Sequence, residues 1–214
     1  MTARLIVTMK AKNDLNDCEL FRSMMSGDEE ALALLYSRRQ AGIYRFALQM
    51  SGSQAVAEDV TQEVFLFLIK GAHVFDPERG SVSAFLFGVA RNHVLRRLRG
   101  EQFLVSMGED FEEENSFEQT VADPGPLDDL TRAETIERVR RAILSLPERY
   151  REVVVLCELQ EMSYGETAEI LGCALGTVRS RLHRARALLL AKLRPEQESE
   201  DASSASVKSE RCFA

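Results

Sequence analysis

The chain predicts an all-α fold: two helical domains joined by a flexible acidic linker, the second carrying a helix-turn-helix. Three observations lead there. Apolar residues recur at helical spacing in almost every periodic segment, and alternating strand patterns are scarce. Ser/Glu pairs three residues apart mark helix starts, and glycines mark helix ends. Charge also shifts abruptly along the 214 residues, with 13 Lys/Arg against 11 Asp/Glu in residues 1–100, 0 against 10 in 101–129, 12 against 8 in 130–194 and 2 against 5 in 195–214. The formal net charge of −7 therefore hides two basic parts separated by an acidic strap.

Taken in order, residues 1–18 read as an N-terminal extension and 19–100 as the first domain. Ser26 and Glu29 form a capping box that starts a helix with Leu32, Leu35, Tyr36, Ile43, Phe46, Ala47 and Met50 on one face, ending near Gly52. The next helix starts near Ser53, with Val56, Val60, Val64, Phe67 and Leu68 inward and Glu58, Asp59, Gln62, Glu63 and Lys70 mostly outward. After a turn at Asp76-Pro77-Glu78-Arg79-Gly80, a third helix runs from about Ser83 to Leu98. It buries Leu86, Val89, Ala90 and Val94 and presents Arg91, Arg96, Arg97 and Arg99, a first basic surface. Residues 101–128 are acidic, contain prolines and have few large aliphatics, so this segment reads as a linker.

The second domain spans residues 129–194 and opens at Asp129 or at Thr131, which is followed three positions on by Glu134. Its first helix turns Ile136, Val139, Ile143 and Leu144 inward. Pro147 suits the first turn of the next, which uses Tyr150, Val153, Val154 and Cys157. The Ser/Glu-rich tail, 195–214, reads as disordered.

Between these lies the segment with the clearest chemistry. Ser163 and Glu166 form a capping box, Ala168, Ile170 and Leu171 supply a buried face, and Gly172 ends the helix in a left-handed conformation. Thr177 or Gly176 caps the second helix, in which Val178, Leu182 and Ala185 form one buried stripe. Arg179, Ser180, His183, Arg184 and Arg186 are left on or near the open faces. A guanidinium fork matches phosphate oxygens and the guanine edge in the major groove, so outward arginines on such a helix suit DNA. A plain helical hairpin with a solvated basic face is the competing reading. From Cys173 to Arg194 six bases face no acid, and counterion release favours such a patch on nucleic acid despite the acidic whole-chain balance.

Other classes find little support. No apolar run approaches the roughly 20 residues of a membrane span, so no membrane insertion is expected. The N-terminus lacks a signal-peptide pattern, which points to the cytoplasm. Cys18, Cys157, Cys173 and Cys212 have no metal-ligand or disulfide-framework spacing, and no cofactor or metal is expected. His73, His93 and His183 lie apart with no nucleophile signature, and there is no phosphate-cradling glycine loop, so no catalytic residue is expected. Glu58, Asp59 and Glu63 resemble a metal-binding carboxylate cluster only superficially. A stand-alone helix-turn-helix regulator would account for Ser163 to Arg186 but leave the first domain unused.

Three ordered segments resemble the sigma-70 family of bacterial RNA polymerase sigma factors, within it the small extracytoplasmic-function (ECF) group. Asp59-Val60-Thr61-Gln62-Glu63-Val64-Phe65 resembles the group's polymerase-binding helix. Phe85-Leu86-Phe87-Gly88-Val89-Ala90-Arg91-Asn92 resembles its promoter-melting helix. Leu144-Ser145-Leu146-Pro147-Glu148-Arg149-Tyr150-Arg151-Glu152-Val153 precedes the helix-turn-helix as it does there. Phe85, Gly88, Gly165, Thr167 and Ala174 depart from residues common in the group, which bears on promoter preference rather than class.

The resemblance implies that residues 19–100 are a region 2-like domain, with Asp59, Gln62 and Glu63 docking on the clamp helices of the polymerase β′ subunit. It implies capture of the −10 element by Asp76, Arg79, Ser83, Arg91 and Asn92, near Phe75. An aromatic stacks on a flipped base and Asn reads its edge. Phe85, Leu86 and Phe87 read as core rather than as stacking platforms. It makes residues 129–194 a region 4-like domain reading the −35 element through Thr177, Arg179, Ser180, Arg181 and Arg184, with Arg186 and Lys192 positioning the backbone. Arg181 equally suits a pairing within the protein. The implied partners are core RNA polymerase, through its β′ clamp helices and β flap, promoter DNA and an anti-sigma protein.

Overall fold

The computed structural model describes residues 14–71, 75–76, 80–107 and 128–194. These form helices α1 (Asp17–Met25), α2 (Glu29–Ser51), α3 (Gln54–Gly71), α4 (Val82–Met107), α5 (Asp128–Leu144), α6 (Glu148–Val154), α7 (Tyr164–Leu171) and α8 (Leu175–Leu193), with no strand among the described residues. α6 runs on into a π turn, Val155–Leu159. The expected linker between α4 and α5 and the tail after Arg194 lie mostly outside the described residues.

Local chemistry explains most helix limits, and it corrects several expected ones. α1 begins inside the segment read as an extension. Asn16 accepts from the Glu19 amide at 3.0 Å while the Glu19 carboxylate accepts from the Asn16 amide at 2.8 Å, a complete capping box. Its Leu20 and Phe21 are buried, and Asp17 in its first turn pairs with Arg38 and Arg39 of α2. Ser26 closes α1 rather than opening α2. Asp28 caps α2, its Oδ1 accepting from the Glu30 and Ala31 amides at 3.1 and 3.2 Å. α4 starts on Ser81, whose Oγ accepts from the Ala84 amide at 3.0 Å, and continues past Leu98 and Gly100 to Met107.

In the first half, α2, α3 and α4 pack around Leu35, Ile43, Phe46, Met50, Val60, Val64, Leu68 and Leu86, all essentially inaccessible. Each such side chain contributes roughly 1.5–3 kcal/mol relative to staying exposed. Phe46 and Phe87 meet edge to face at 5.5 Å, so Phe87, like Leu86, is core as expected. Phe67, expected inward, stands at the surface and Phe65 takes the inner position, while Tyr36 is also exposed.

The second half winds α5 to α8 about Ile143, Leu146, Val153, Leu156, Val178, Leu182 and Ala185. Ile136 is the exception, 60% exposed where an inward position was expected. The two halves are not apart. Their buried residues form one continuous cluster, in which α7 packs on α4 and α5 and the π turn pack along α2.

Candidate nucleic-acid interface

The helix-turn-helix forms as its residues dictate. Ser163 Oγ accepts from the Glu166 amide at 3.2 Å, and Glu166 Oε2 accepts from the Ser163 amide at 3.1 Å. Gly172 ends α7 at φ 60, ψ 40, a left-handed conformation costly for a residue with a Cβ. α8 begins two to three residues earlier than expected. Its N-cap is Ala174, which makes no side-chain cap bond, and Gly176 and Thr177 lie in its first turn. The buried face of α7 differs too: Thr167 is fully buried, its Oγ1 3.3 Å from Cys157 Sγ, while Ala168, Ile170 and Leu171 are only partly buried. Burial pushes the Cys157 thiol above its ordinary value, with the Thr167 hydroxyl opposing, which disfavours the reactive thiolate.

On α8 the expected stripe of Val178, Leu182 and Ala185 is buried, which turns Arg179, Ser180, His183 and Arg184 to solvent and leaves Thr177 and Arg181 half-buried. Two of the arginines have neighbours that the sequence did not reveal. The Arg184 guanidinium hydrogen-bonds the Tyr150 hydroxyl and, against the opposing effect of burial and with help from Arg149, holds that phenol below its ordinary range. Arg186 donates to Glu158 on the π turn, Nε to Oε1 at 3.2 Å, and this bond raises its pKa further. The outer face of α8 therefore offers Arg179 and Arg184 near its N-terminal half, where a recognition helix meets base edges.

In the first half, the described −10 candidates run from Asp76, before α4, through Ser83 in its first turn to Arg91 and Asn92 nearly three turns along it. Phe75 packs on Phe21 edge to face at 5.1 Å and on Phe85 at 4.7 Å. Ser83 accepts from Arg39 Nη1 at 3.3 Å. Asp76 and Asn92 are exposed, and Arg79 lies outside the described residues. Arg91 does not project freely: its Nε donates to Glu152 Oε1 at 2.6 Å, and Glu152 is only 2% exposed. A cleft of about 280 Å³ runs between Phe75, Phe85, Gly88 and Asn92 on one side and Glu169 and Ile170 of α7 on the other.

The polymerase candidates sit on α3. Gln62 is exposed, whereas Asp59 and Glu63 hold Arg97 of α4, each at 2.7 Å, and Glu63 also meets His93 Nδ1 at 2.5 Å. Burial works to lower the Arg97 pKa, but these two carboxylates outweigh it and raise it. The bonds also occupy carboxylate oxygens that a metal would need. Next to Gln62 lies a feature the polarity pattern did not signal, a groove of about 450 Å³ lined by Leu32, Tyr36, Phe65, Leu66 and Ile69. Leu66 and Ile69 are 51% and 56% exposed. Among the described residues no helix is long and apolar enough to cross a membrane.

Comparison with known proteins agrees with this geometry. The chain matches Sigma-70 region 2 over residues 35–103 and Sigma-70, region 4 over residues 136–189. It is 32% identical over 177 residues to the ECF RNA polymerase sigma factor SigW of Bacillus subtilis, covering 81% of this chain and 94% of that one. Among solved structures it resembles CnrH in complex with the cytosolic domain of CnrY, with a TM-score of 0.62, 26% identity and coverage of 83% of this chain and 96% of that one. It also resembles the sigma factor RpoE in complex with the anti-sigma factor NepR from Bartonella quintana, with a TM-score of 0.56, 26% identity and coverage of 73% and 92%. A region 2 helix set with an outward face on α3, followed by a region 4 helix-turn-helix with outward arginines, places the chain in the sigma-70 family as an ECF sigma factor that directs promoter-specific transcription initiation.

Proposed function

We propose that the chain docks on core RNA polymerase through α3, reads the −35 element with α8 and captures the −10 element on and just before α4. The observation that carries this reading is the division of α8 into a buried stripe and an outward arginine face. On that face Arg179 and Arg184 contact base edges, and Thr177, Ser180 and Arg181 add backbone or base contacts. At the −10 element Asp76, Arg79, Ser83, Arg91 and Asn92 hold the opened strand.

On α3, Gln62 and the accessible parts of Asp59 and Glu63 face the polymerase clamp helices, and the apolar groove beside them supplies the desolvated centre that a stable interface needs. Helices α1 to α4 and α5 to α8 then act as the two DNA-engaging modules, which takes Asp17 and Cys18 into the first module and shortens the linker read at 101–128 to the segment after Met107, with 195–214 outside the two-module plan. α8 and its surroundings offer the β flap a second contact. An anti-sigma protein in the cytoplasm is the proposed regulatory partner, as NepR is for the Bartonella protein.

Mixing the purified chain with core polymerase tests this. Co-elution and initiation at selected promoters are expected. Binding to duplex DNA without any association with polymerase would instead indicate a stand-alone regulator, and metal-dependent cleavage of the template would indicate a nuclease.

A further inference from the structure

The side chains around Arg184 form a small cluster of their own. Tyr150, Val153 and Val154 fall at i, i+3 and i+4 on α6, which packs along α8, and all three are buried in the cluster that holds the Val178, Leu182, Ala185 stripe. Tyr150 is 9% exposed. Its ring is fixed in the core, while its hydroxyl hydrogen-bonds the Arg184 guanidinium. Over the same ring lies Arg149, its Cζ 4.8 Å from the centroid, within the range of a cation–π contact. Arg149 thus sets a second positive charge beside the first.

A phenol differs from a carboxylate as the partner of an arginine. Arg186 is tied to Glu158, and Arg97 of α4 to Asp59 and Glu63, and in those pairs the acid offsets charge that would otherwise attract nucleic acid. A protonated phenol accepts a hydrogen bond without offsetting any charge. An unrestrained arginine samples many rotamers, and fixing one of them on binding costs affinity. A hydroxyl anchored in the core does part of that fixing beforehand. The guanidinium has donors enough for both tasks, since two can meet a guanine edge while another stays on the phenol.

We propose that Tyr150 is a positioning residue for −35 recognition, its hydroxyl orienting the Arg184 guanidinium toward the base edges while leaving the positive charge intact. This role rests on the proposed reading of Arg184 at the −35 element, whereas the contact between the two side chains is a property of the free chain.

The test is a double-mutant cycle in the full chain with core polymerase: wild type, Tyr150→Phe, Arg184→Ala and the double variant. Tyr150→Phe removes the hydroxyl alone and keeps the ring in the core and under Arg149. Competition binding uses duplexes of a promoter that the wild type transcribes, with each −35 base pair changed in turn. Arg184→Ala is expected to lose about tenfold of discrimination at one base pair. Tyr150→Phe is expected to lose about threefold at that same base pair and nothing elsewhere, and the double variant no more than Arg184→Ala alone. A hydroxyl with a merely structural role would weaken binding to all duplexes alike, and equally with and without Arg184, an outcome that overturns the proposal.

Difference titrations of the free chains, each against its Tyr150→Phe counterpart, isolate one phenol of the four tyrosines. Arg184→Ala is expected to move that phenol upward, and no movement overturns the proposal because the two side chains then do not meet in solution. If Arg184→Ala costs discrimination and Tyr150→Phe does not, the positioning role fails and the −35 reading stands. If Arg184→Ala changes nothing at any −35 base pair, the −35 reading of Arg184 fails and takes the positioning role with it.

Discussion

At the residue scale, Arg179 and Arg184 stand on the same exposed face but in different company, and this difference is measurable. Arg179→Ala is expected to cost about 1 to 3 kcal/mol of discrimination at one base pair of the −35 element, read by comparing promoter variants, with the free fold unchanged. Arg184→Ala is expected to do the same and in addition to raise the Tyr150 phenol toward its ordinary value, because the guanidinium is the largest influence lowering it. An ultraviolet titration of the phenol reads that second effect.

Glu166 supplies a pH dependence. Burial acts to raise its carboxyl, but hydrogen bonds from Ser163 and Ser81 outweigh burial and hold it below the ordinary 4.5. A depressed folded value means that its contribution to stability is fully present above about pH 4.5 and is lost as the pH falls through the folded value. Ser81→Ala is expected to move the Glu166 titration upward while leaving the Ser163 cap in place, as followed by the carboxyl carbon resonance. No movement would mean that Ser81 does not reach Glu166 in solution.

At the scale of elements, two glycines that look alike in the sequence are expected to respond in opposite directions. Gly172 ends α7 at φ 60, so Gly172→Ala is expected to destabilise by about 1 kcal/mol. Gly88 sits within α4 with open space where a Cβ would go, so Gly88→Ala is expected to stabilise by about 0.5–1 kcal/mol. Thermal denaturation of the two variants checks both signs.

What the sequence made legible at this scale follows the same division between local and non-local causes. The Ser163–Glu166 box, the Gly52 and Gly172 terminators and the Val178, Leu182, Ala185 stripe were readable because their causes lie within one or two helical turns. The start of α2 was misplaced because Ser26 and Asp28 both offer capping oxygens, and Asp28 alone reaches the Glu30 and Ala31 amides. The start of α8 was misplaced because Ala174 caps it without any side-chain signal. Ile136 and Phe67 fit a helical stripe by spacing but stand at the surface, since periodicity specifies a face and not what covers it. Among the site residues, the outward placement of Arg179 and Arg184 was legible. The pairing of Arg91 with Glu152 was not, because an acid and a base 61 positions apart carry no local trace of their contact.

At the scale of the whole molecule, charge and apolar surface have separate uses. Arg97, one of the bases that made the first half look like a basic surface, is absorbed by Asp59 and Glu63, which ties α3 to α4. The carboxylates expected to meet polymerase are thereby fixed in place and partly neutralised, and charge alone cannot supply strong binding on this face. The exposed Leu66 and Ile69 beside Gln62 can, because apolar side chains desolvated at the centre of an interface carry most of its energy. Replacing both by glutamine keeps helix propensity and removes no core packing, so the stability of the free chain, read by thermal denaturation, is expected to change by no more than about 0.5 kcal/mol. Affinity for core polymerase is expected to fall about tenfold or more, a loss of roughly 1.4 kcal/mol, while binding of α8 to a −35 duplex is unaltered. Titration of labelled core polymerase against the two chains measures the first effect and duplex binding the second. Undiminished affinity for polymerase would place the docking surface elsewhere on the first half.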